Sequence, residues 1–403
     1  MSSAATENLL SCLLLLPETP SGVSLATLRA AYGYALSEVL TEASSQAGNH
    51  QKVTLDIAVL ASDITDLVEY FRVDIYPHAQ HLIAVIYRLV CIICAEKGID
   101  IDNDNDVDTR VVLVHHSRDR KGADGISIME GPLVDLESLS RSERNWKHIF
   151  STTNGKSVLQ SFVTNRRSVS GIPNYSLKEL EASNTMTEIT QLALKEKASV
   201  SHRSVAVGGT FDHLHAGHKL LLTATALLLE PAKKQAQRLQ RHLTIGITGD
   251  ELLKNKKYAS CMQSWKERQE AVYQFLRAII DFEHYQDIGR AGQTTTDSEN
   301  RVTVTYKLPS ALEIRCVEIQ DPFGPTITDK AITALVISGE TRSGGKAVND
   351  RRTGMGWPAL DVYEVDVLDQ SSDERLSDEM SSEFQGKISS TDIRRRLHEK
   401  RLC

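Results

Sequence analysis

Apolar positions in the first part of the chain follow two different periods. The stretches Leu25–Ala43 and His81–Lys97 repeat apolar residues at helical spacing. By contrast, Val53–Leu60 and Arg110–His115 are short apolar runs of the kind that form buried strands. Since strands that alternate with helices pair in parallel, residues 1–165 are predicted to form an α/β domain. Its function is left unassigned.

The pattern changes between residues 166 and 202. Here the chain turns polar, passes a Ser-Gly-Ile-Pro-Asn segment and continues as a Lys/Glu-rich stretch that predicts a helix over Leu177–Ala198. We interpret residues 166–202 as a linker and a helix, and residues 203–403 as a second domain. We expect few core contacts to cross the linker, as is usual at a domain boundary.

A second alternation of strands and helices starts at Ser204. The predicted strands are Ser204–Val207, Leu243–Thr248, Ile314–Gln320, Ala334–Ser338 and Asp361–Leu368. Their spacing predicts a doubly wound parallel sheet. Two polar tracts, Gly289–Asn300 and Asp369–Gln385, contain few large apolar residues and are predicted to be mobile insertions.

Composition narrows the classes of function. The net charge of −7 gives no general attraction for nucleic acid or an anionic membrane. We find no run that approaches the roughly 20 apolar residues of a membrane span, and no basic targeting pattern at the amino terminus. The 6 cysteines are spread over the chain, unlike those of a secreted disulfide scaffold. We therefore expect a cytoplasmic protein.

The segment from Val205 to Leu220 carries the clearest chemical signal. The predicted strand ends at Gly208 and Gly209, a short polar loop follows, and a helix begins near His215. In open α/β sheets, ligands bind at the carboxyl ends of strands, and the free N–H groups of the next helix attract anions. The two glycines would let the backbone approach such an anion closely.

Two histidines stand at the start of this helix. His215 and His218 are three residues apart, so their rings are predicted to share one face. Imidazole donors placed there can stabilise the charge that builds on a phosphate during group transfer. Two alternatives stay open at this point: the histidines cap the helix, or they bind zinc together with Asp212 and His213.

Two motifs resemble a known superfamily. Gly209-Thr-Phe-Asp followed by His215-Ala-Gly-His218 resembles the first signature of the nucleotidyltransferases, and Lys387-Ile-Ser-Ser-Thr-Asp-Ile-Arg394 resembles their second motif. The resemblance implies a Rossmann-like sheet. The nucleotide-binding residues that it implies are Gly208, Gly209, His218, Gly339, Arg342, Ser389, Ser390, Thr391 and Arg394. For the second motif, an ordinary Ser/Thr helix cap followed by a basic helix is the alternative.

Three further segments resemble phosphopantetheine adenylyltransferases of the eukaryotic type. They are Ile245–Lys257 with Trp265–Arg268, then Asp321-Pro-Phe-Gly-Pro-Thr, and Val336–Asn349. The resemblance implies His218, His215, Lys254 and Thr210 as catalytic residues. It implies Thr210, Phe211, Lys254 and Asp321 as residues that bind the acceptor.

The sequence departs from the eukaryotic pattern at one position. Ser343 stands where an Arg more often precedes the Gly-Gly pair, and Arg342 is displaced by one. The lysine that meets the phosphates is also open, since Lys256 and Lys257 lie close to Lys254.

The same resemblance implies ATP and 4′-phosphopantetheine as substrates, and dephospho-coenzyme A and pyrophosphate as products. No base is needed because the attacking phosphate is already ionised. Mg²⁺ would arrive with ATP, without a dedicated metal site in the protein. Two rival functions stay open: a cytidylyltransferase that acts on a phosphorylated alcohol, and a non-catalytic scaffold. We expect the amino-terminal part to be dispensable for the chemistry, and leave open that it binds partners of the coenzyme A pathway.

Three other patterns are set aside. Gly339–Ala347 nearly spells a P-loop, but Gly345 stands where a Lys should follow Gly344, and Ala347 stands where Ser or Thr should follow the Lys. Cys91 and Cys94 lie within an apolar helix, where core packing is expected. Asp102–Asp108 alternates acidic residues like a calcium loop but lacks the Gly and the final Glu, so we interpret it as a solvated turn.

Overall fold

The computed structural model describes residues 10–47, 52–65, 72–100, 107–116, 130–169, 174–181, 200–231, 239–282, 292–297, 301–366, 368 and 389–402. The predicted insertion at 369–385 lies outside the described residues. Within the other predicted insertion, residues 293–296 form an exposed strand.

The amino-terminal half, residues 10–181, is built on a parallel sheet with helices. Its strands are β1 Leu10–Leu16, β2 Val53–Leu60, β3 Val107–His115, β4 Leu133–Asp135, β5 His148–Thr152 and β6 Ser176–Leu180. Its α-helices are α1 Leu25–Ala47, α2 Ser62–Thr65, α3 Arg72–Lys97, α4 Leu136–Arg141 and α5 Lys156–Arg167. The strand order is β4-β3-β2-β1-β5-β6, and every neighbouring pair is parallel. The α/β prediction is confirmed.

The long helix α3 packs in the core of this half. Cys91 and Cys94 are fully buried free cysteines within it, which confirms the interpretation as core packing. Contrary to the sequence expectation, α3 is long and apolar enough to span a membrane by length and composition alone. However, 83% of its most apolar window is buried inside the protein, as in the core helix of a globular fold.

Strand β6 lies inside the segment predicted as a linker and a helix. It pairs in parallel with β5, so the first sheet continues to Leu180. The helix prediction is therefore wrong at its start. Edge pairing overrides the helical propensity of the Lys and Glu residues there, and Lys178 and Glu179 form ion pairs with Glu42 and Lys156. The rest of the predicted helix, residues 182–199, lies outside the described part of the chain.

The carboxyl-terminal half, residues 200–402, contains the second sheet. Its strands are β7 Ser204–Gly209, β8 Arg241–Thr248, β9 Gln293–Thr296, β10 Val302–Lys307, β11 Leu312–Ile319, β12 Ala334–Ser338 and β13 Asp361–Val365. Its α-helices are α6 Ala216–Leu228, α7 Trp265–Ile280, α8 Arg342–Gly354 and α9 Ser390–Leu402. The order is β13-β12-β7-β8-β11-β10-β9, and the first five strands are parallel. This α/β sheet is consistent with a Rossmann-like fold.

The order of the strands identifies a topological switch point at β7. From β7 the chain proceeds to β8 and β11 on one side, and it later returns to β12 and β13 on the other. Ligands of open α/β sheets bind at such a reversal, beyond the carboxyl ends of the strands. The loops after β7 and β12 flank this point.

The two halves share one hydrophobic core. Buried residues of both sheets belong to the same apolar cluster, and α3 packs against α6. Helix α6 is buried along almost its whole length, so a single sheet cannot cover all its faces. Two buried ion pairs, Lys219 with Asp108 and Arg241 with Glu130, also join the halves. The expectation that few core contacts cross between the halves is wrong.

Candidate active site

The loop after β7 is held in an unusual backbone conformation. Phe211 and His213 have φ angles of 53° and 47°, in the left-handed region that non-glycine residues seldom occupy. Contacts with the segment before α7 fix this loop: the His213 N–H donates to Gln263 Oε1 at 2.8 Å, and His213 Nε2 lies 2.9 Å from the Cys261 carbonyl oxygen. A side chain at Gly209 would approach the Phe211 ring to 3.0 Å, so it would have to displace that ring by a few tenths of an ångström.

His215 and His218 stack against each other at the start of α6. Their ring centroids are 3.9 Å apart with an interplanar angle of 24°, so the rings share one face as predicted. His215 occupies the N-cap position but makes no side-chain capping hydrogen bond, which argues against the helix-cap alternative. The Nδ1 atoms of both rings are buried without a hydrogen-bond partner. Two imidazoles at a helix amino terminus thus retain unused polar atoms.

The surroundings keep both imidazoles neutral. Burial lowers the pKa of His215 well below its ordinary value, and nearby His218 and Lys219 add to this effect. Burial likewise lowers the pKa of His218 to about 4, although the Asp212 carboxylate opposes the shift. Near neutral pH each ring therefore carries a single N–H, and in His218 a hydrogen bond to the His213 backbone competes for it.

Asp212 connects the β7 loop to the last helix. Its side chain is fully buried, and Arg394 Nη1 donates to its Oδ2 at 2.6 Å. Its Oδ1 accepts from the Gln263 N–H at 3.0 Å, and its carbonyl oxygen accepts from Ser390 Oγ at 2.9 Å. Because Asp212 and His213 are engaged in this way, the zinc alternative lacks its two additional ligands.

The segment 389–394 therefore lies next to the β7 loop. Arg394 Nε also donates to the Lys257 carbonyl oxygen at 3.1 Å, and its Nη2 donates to Thr391 Oγ1 at 3.2 Å. Ser389 Oγ accepts from the Asp392 N–H at 3.4 Å, as a helix cap would. The guanidinium of Arg394 is thus committed to the protein, while phosphate binding by this segment stays a prediction.

Arg268 is a central residue of the site to which sequence reasoning assigned no role. It is completely buried in the first turn of α7. Its guanidinium donates to the carbonyl oxygens of Thr210 at 2.6 Å and Thr248 at 2.7 Å, and to Asp250 Oδ1 at 2.7 Å. Arg268 therefore holds the loops after β7 and β8 together. The only signal in the sequence was the Trp265–Arg268 segment, noted for its resemblance.

The remaining predicted residues follow the carboxyl ends of other strands. Lys254 comes after β8, Asp321 after β11, and Gly339 and Arg342 after β12. The Lys254 side chain is 65% exposed and pairs with Glu251. Arg342 is 70% exposed and pairs with Glu364 on β13.

Asp321 has a local structural role. Its Oδ1 accepts hydrogen bonds from the N–H groups of Phe323 at 2.7 Å and Gly324 at 2.9 Å, which closes the turn after β11. The predicted residues from Gly208 to Arg342 all lie at or just after the carboxyl ends of parallel strands. Their roles toward a ligand stay predictions.

Comparison with known proteins gives two kinds of relative. The model of a domain of unknown function, DUF8446, matches residues 1–186. An uncharacterized protein of Schizosaccharomyces pombe, C1F12.08, is 32% identical over 271 residues, which cover 66% of this chain and 68% of that protein.

Further relatives are named phosphopantetheine adenylyltransferase. The one from Saccharomyces cerevisiae is 32% identical over 192 residues, which cover 48% of this chain and 48% of that protein. The one from Pyrococcus abyssi is 26% identical over 175 residues, which cover 43% of this chain and 85% of that protein. These relatives support a nucleotidyltransferase relationship over about half of the chain.

Proposed function

We propose that this chain adenylates 4′-phosphopantetheine with ATP. The chain belongs to the same family as the Schizosaccharomyces pombe protein C1F12.08. The products would be dephospho-coenzyme A and pyrophosphate. The observation that carries the proposal is the stacked pair His215 and His218, with unpartnered Nδ1 atoms, at the switch point of a parallel sheet. The names of the relatives favour ATP and this acceptor over other pairs of substrates.

The proposed reaction needs alignment more than proton transfer. A phosphate oxygen of 4′-phosphopantetheine attacks the α-phosphorus of ATP, and the bond from that phosphorus to the α,β-bridging oxygen breaks. The electron pair leaves with pyrophosphate. Because the attacking phosphate is already ionised, the main barrier is charge accumulation between two polyanions. Imidazole N–H groups at the amino end of α6 would stabilise that charge.

The bound phosphates would also shift the pKa of the histidines upward. A phosphate beside a buried imidazole favours the protonated ring, in opposition to the burial that lowers the pKa of His218 in the free protein. Such a ring would strengthen its hydrogen bond as negative charge develops. Preferential stabilisation of the transition state is the property that increases turnover.

We assign the other predicted residues to the phosphates and to the acceptor. Gly208 and Gly209 let the backbone approach the nucleotide, and Thr210 lies between this strand end and the histidines. Lys254 and Arg342, which are exposed and paired with surface carboxylates, would exchange these partners for phosphate oxygens. Magnesium would enter as part of the ATP substrate.

An acceptor panel separates the proposal from its rivals. Purified full-length protein is mixed with magnesium ATP or magnesium CTP and with 4′-phosphopantetheine, phosphocholine or glycerol phosphate, and pyrophosphate release is followed. We expect pyrophosphate and the mass of dephospho-coenzyme A from ATP with 4′-phosphopantetheine alone. Turnover only with CTP would identify a cytidylyltransferase, and no turnover with any pair would favour a scaffold.

A further inference from the structure

The residue that follows His218 is bound by the other half of the chain. Lys219 is only 2% exposed, and its Nζ donates to Asp108 Oδ1 at 2.7 Å. Asp108 lies in β3 and is 16% exposed. Its Oδ2 accepts from Arg110 Nη2 at 3.0 Å. The interpretation of the acidic segment as a solvated turn is therefore wrong for Asp108, because strand β3 places its carboxylate at the contact between the halves.

This ion pair acts on the helical turn that carries the histidines. The Lys219 N–H donates to the His215 carbonyl oxygen at 3.0 Å, so the lysine belongs to the first turn of α6. His215 is the N-cap residue of α6, so Lys219 lies one turn after it and directly follows His218. A fixed position for the Lys219 ammonium thus limits rotation of the turn about the helix axis.

The amino-terminal half also contacts two other helices of the carboxyl-terminal half. Arg144 of the amino-terminal half donates from Nη2 to the carbonyl oxygens of Ala278 and Asp281, at the end of α7. Arg396 of α9 donates from Nη1 to Asp100 Oδ1 at 3.2 Å. The amino-terminal half therefore contacts α6 at the turn that contains His218, α7 at the end away from Arg268, and α9 near Arg394.

A buried ion pair contributes more to the orientation of the two groups that it joins than to the stability of the fold. Desolvation of the two charges cancels much of their attraction, so such pairs often contribute little net stability. The apolar contact between α3 and α6 also joins the halves, but apolar contact is non-directional. The Lys219–Asp108 pair adds a directed contact beside two rings that stack at 3.9 Å.

We propose that Asp108 is a positioning residue for the candidate active site, which it orients by holding Lys219 and the first turn of α6. The amino-terminal half thereby completes the site. This inference rests on the proposed function, since it assigns Asp108 a role in the same reaction. It also assigns Asp108 an electrostatic role, because the carboxylate neutralises an ammonium that lies close to His215.

A second buried ion pair between the halves provides a matched control. Arg241 Nη2 donates to Glu130 Oε1 at 3.1 Å, and both side chains are buried. Arg241 is the first residue of β8, so it lies at the amino end of the strands, opposite the candidate site. Asp108→Asn and Glu130→Gln therefore remove equivalent charges between the halves, one at the site and one away from it.

The test measures steady-state kinetics and thermal stability of both full-length variants. We expect Asp108→Asn to lower kcat on the order of 10- to 100-fold, as misplacement by about 1 Å does, with KM for ATP changed by about threefold or less. Asp108→Glu should recover part of the loss. Glu130→Gln should lower Tm but keep kcat. Unchanged kcat in Asp108→Asn, or equal losses in both variants, would overturn the proposal.

A double variant covers the case in which Asp108→Asn does not fold. Asp108→Leu with Lys219→Met replaces the ion pair with apolar groups, a change that often preserves stability. We expect a Tm near that of the wild type with kcat still low. Full recovery of kcat in this variant would show that the pair has no orienting role.

A measurement that does not depend on turnover separates failure of the proposed function from failure of the positioning role of Asp108. The ring C–H resonances of His215 and His218, assigned with single variants, should shift in Asp108→Asn and stay unchanged in Glu130→Gln. A wild type that is inactive with every substrate pair contradicts the proposed function, yet the resonances still test the positioning. An active wild type whose ring resonances do not respond to Asp108→Asn contradicts the positioning alone.

Discussion

Arg394 and Asp212 form a buried ion pair across 182 positions of the chain, with Nη1 2.6 Å from Oδ2. One residue belongs to the last helix and the other to the loop after β7. Both side chains are at most 4% exposed, so neither charge can be solvated by water instead. The pair therefore fixes the carboxyl-terminal segment against the loop that precedes the two histidines, and the two motifs form one structural unit.

Loss of this pair should destabilise the fold. Arg394→Met leaves the Asp212 carboxylate buried without its partner, and such changes typically cost about 3–5 kcal/mol of unfolding free energy. Urea denaturation followed by circular dichroism measures the difference. The neighbour Arg395 is the control, since it is 43% exposed and pairs with Asp392 at the surface. Arg395→Met should cost about 1 kcal/mol or less, and equal losses in the two variants would contradict the structural role of Arg394.

Replacement of His218 should affect turnover more than binding. His218→Ala removes a donor placed for the transition state, and such removals lower kcat on the order of 10²- to 10³-fold. KM for ATP should change much less. His78→Ala, which alters an exposed histidine of α3, is the control and should keep wild-type kinetics. A rise in KM with normal kcat would instead assign His218 to ground-state binding.

Local patterns in the sequence predicted the features that depend on local structure. The strand that ends in Gly208 and Gly209, and the shared face of His215 and His218, follow from spacing of a few residues. The Lys219–Asp108 contact joins residues 111 positions apart and has no periodic signature. Its acidic partner was part of a segment whose composition suggested a solvated turn.

The buried contacts of two arginines have no local signature either. The sequence assigns no role to Arg268 and predicts that Arg394 binds the nucleotide, but it indicates the burial of neither, because charged residues are usually exposed. Their roles follow from the acceptors that distant loops bring to them, including the Thr210 carbonyl oxygen and the Asp212 carboxylate. Strand β6 was missed because its pairing with β5, rather than its composition, determines its structure.

The histidine pair should make stability depend on pH. In the unfolded chain His218 titrates near 6.5, whereas burial lowers its pKa to about 4 in the folded protein. The unfolded state therefore binds more protons between these values, and the free energy of unfolding should fall as the pH drops from about 6.5 toward 4. His215 contributes in the same direction.

Urea unfolding at several pH values, compared with His218→Gln, isolates this contribution. Other groups, including His202 with a lowered pKa and His81 with a raised pKa, are present in both proteins and cancel in the difference. The variant should lose less stability than the wild type between pH 7 and pH 5. Parallel curves for the two proteins would mean that His218 is not buried in its neutral form.

The carboxyl-terminal half should not function by itself. A fragment of residues 200–403 would expose the apolar face of α6 that packs against α3, and it would leave Lys219 and Arg241 without Asp108 and Glu130. Removal of one partner of a buried ion pair typically costs about 3–5 kcal/mol, and a domain of this size is stable by only about 5–15 kcal/mol. We therefore expect non-cooperative urea unfolding of the fragment and a loss of turnover.

Addition of a separate fragment of residues 1–181 is the complementary measurement. If the two halves form one core, mixing them should restore cooperative unfolding and turnover together, in proportion to the concentration of the added fragment. A fragment of residues 200–403 that unfolds cooperatively and turns over at the rate of the full chain would refute this view. In that case the shared core would serve only to attach the amino-terminal half, and Asp108 could have no part in orienting His218.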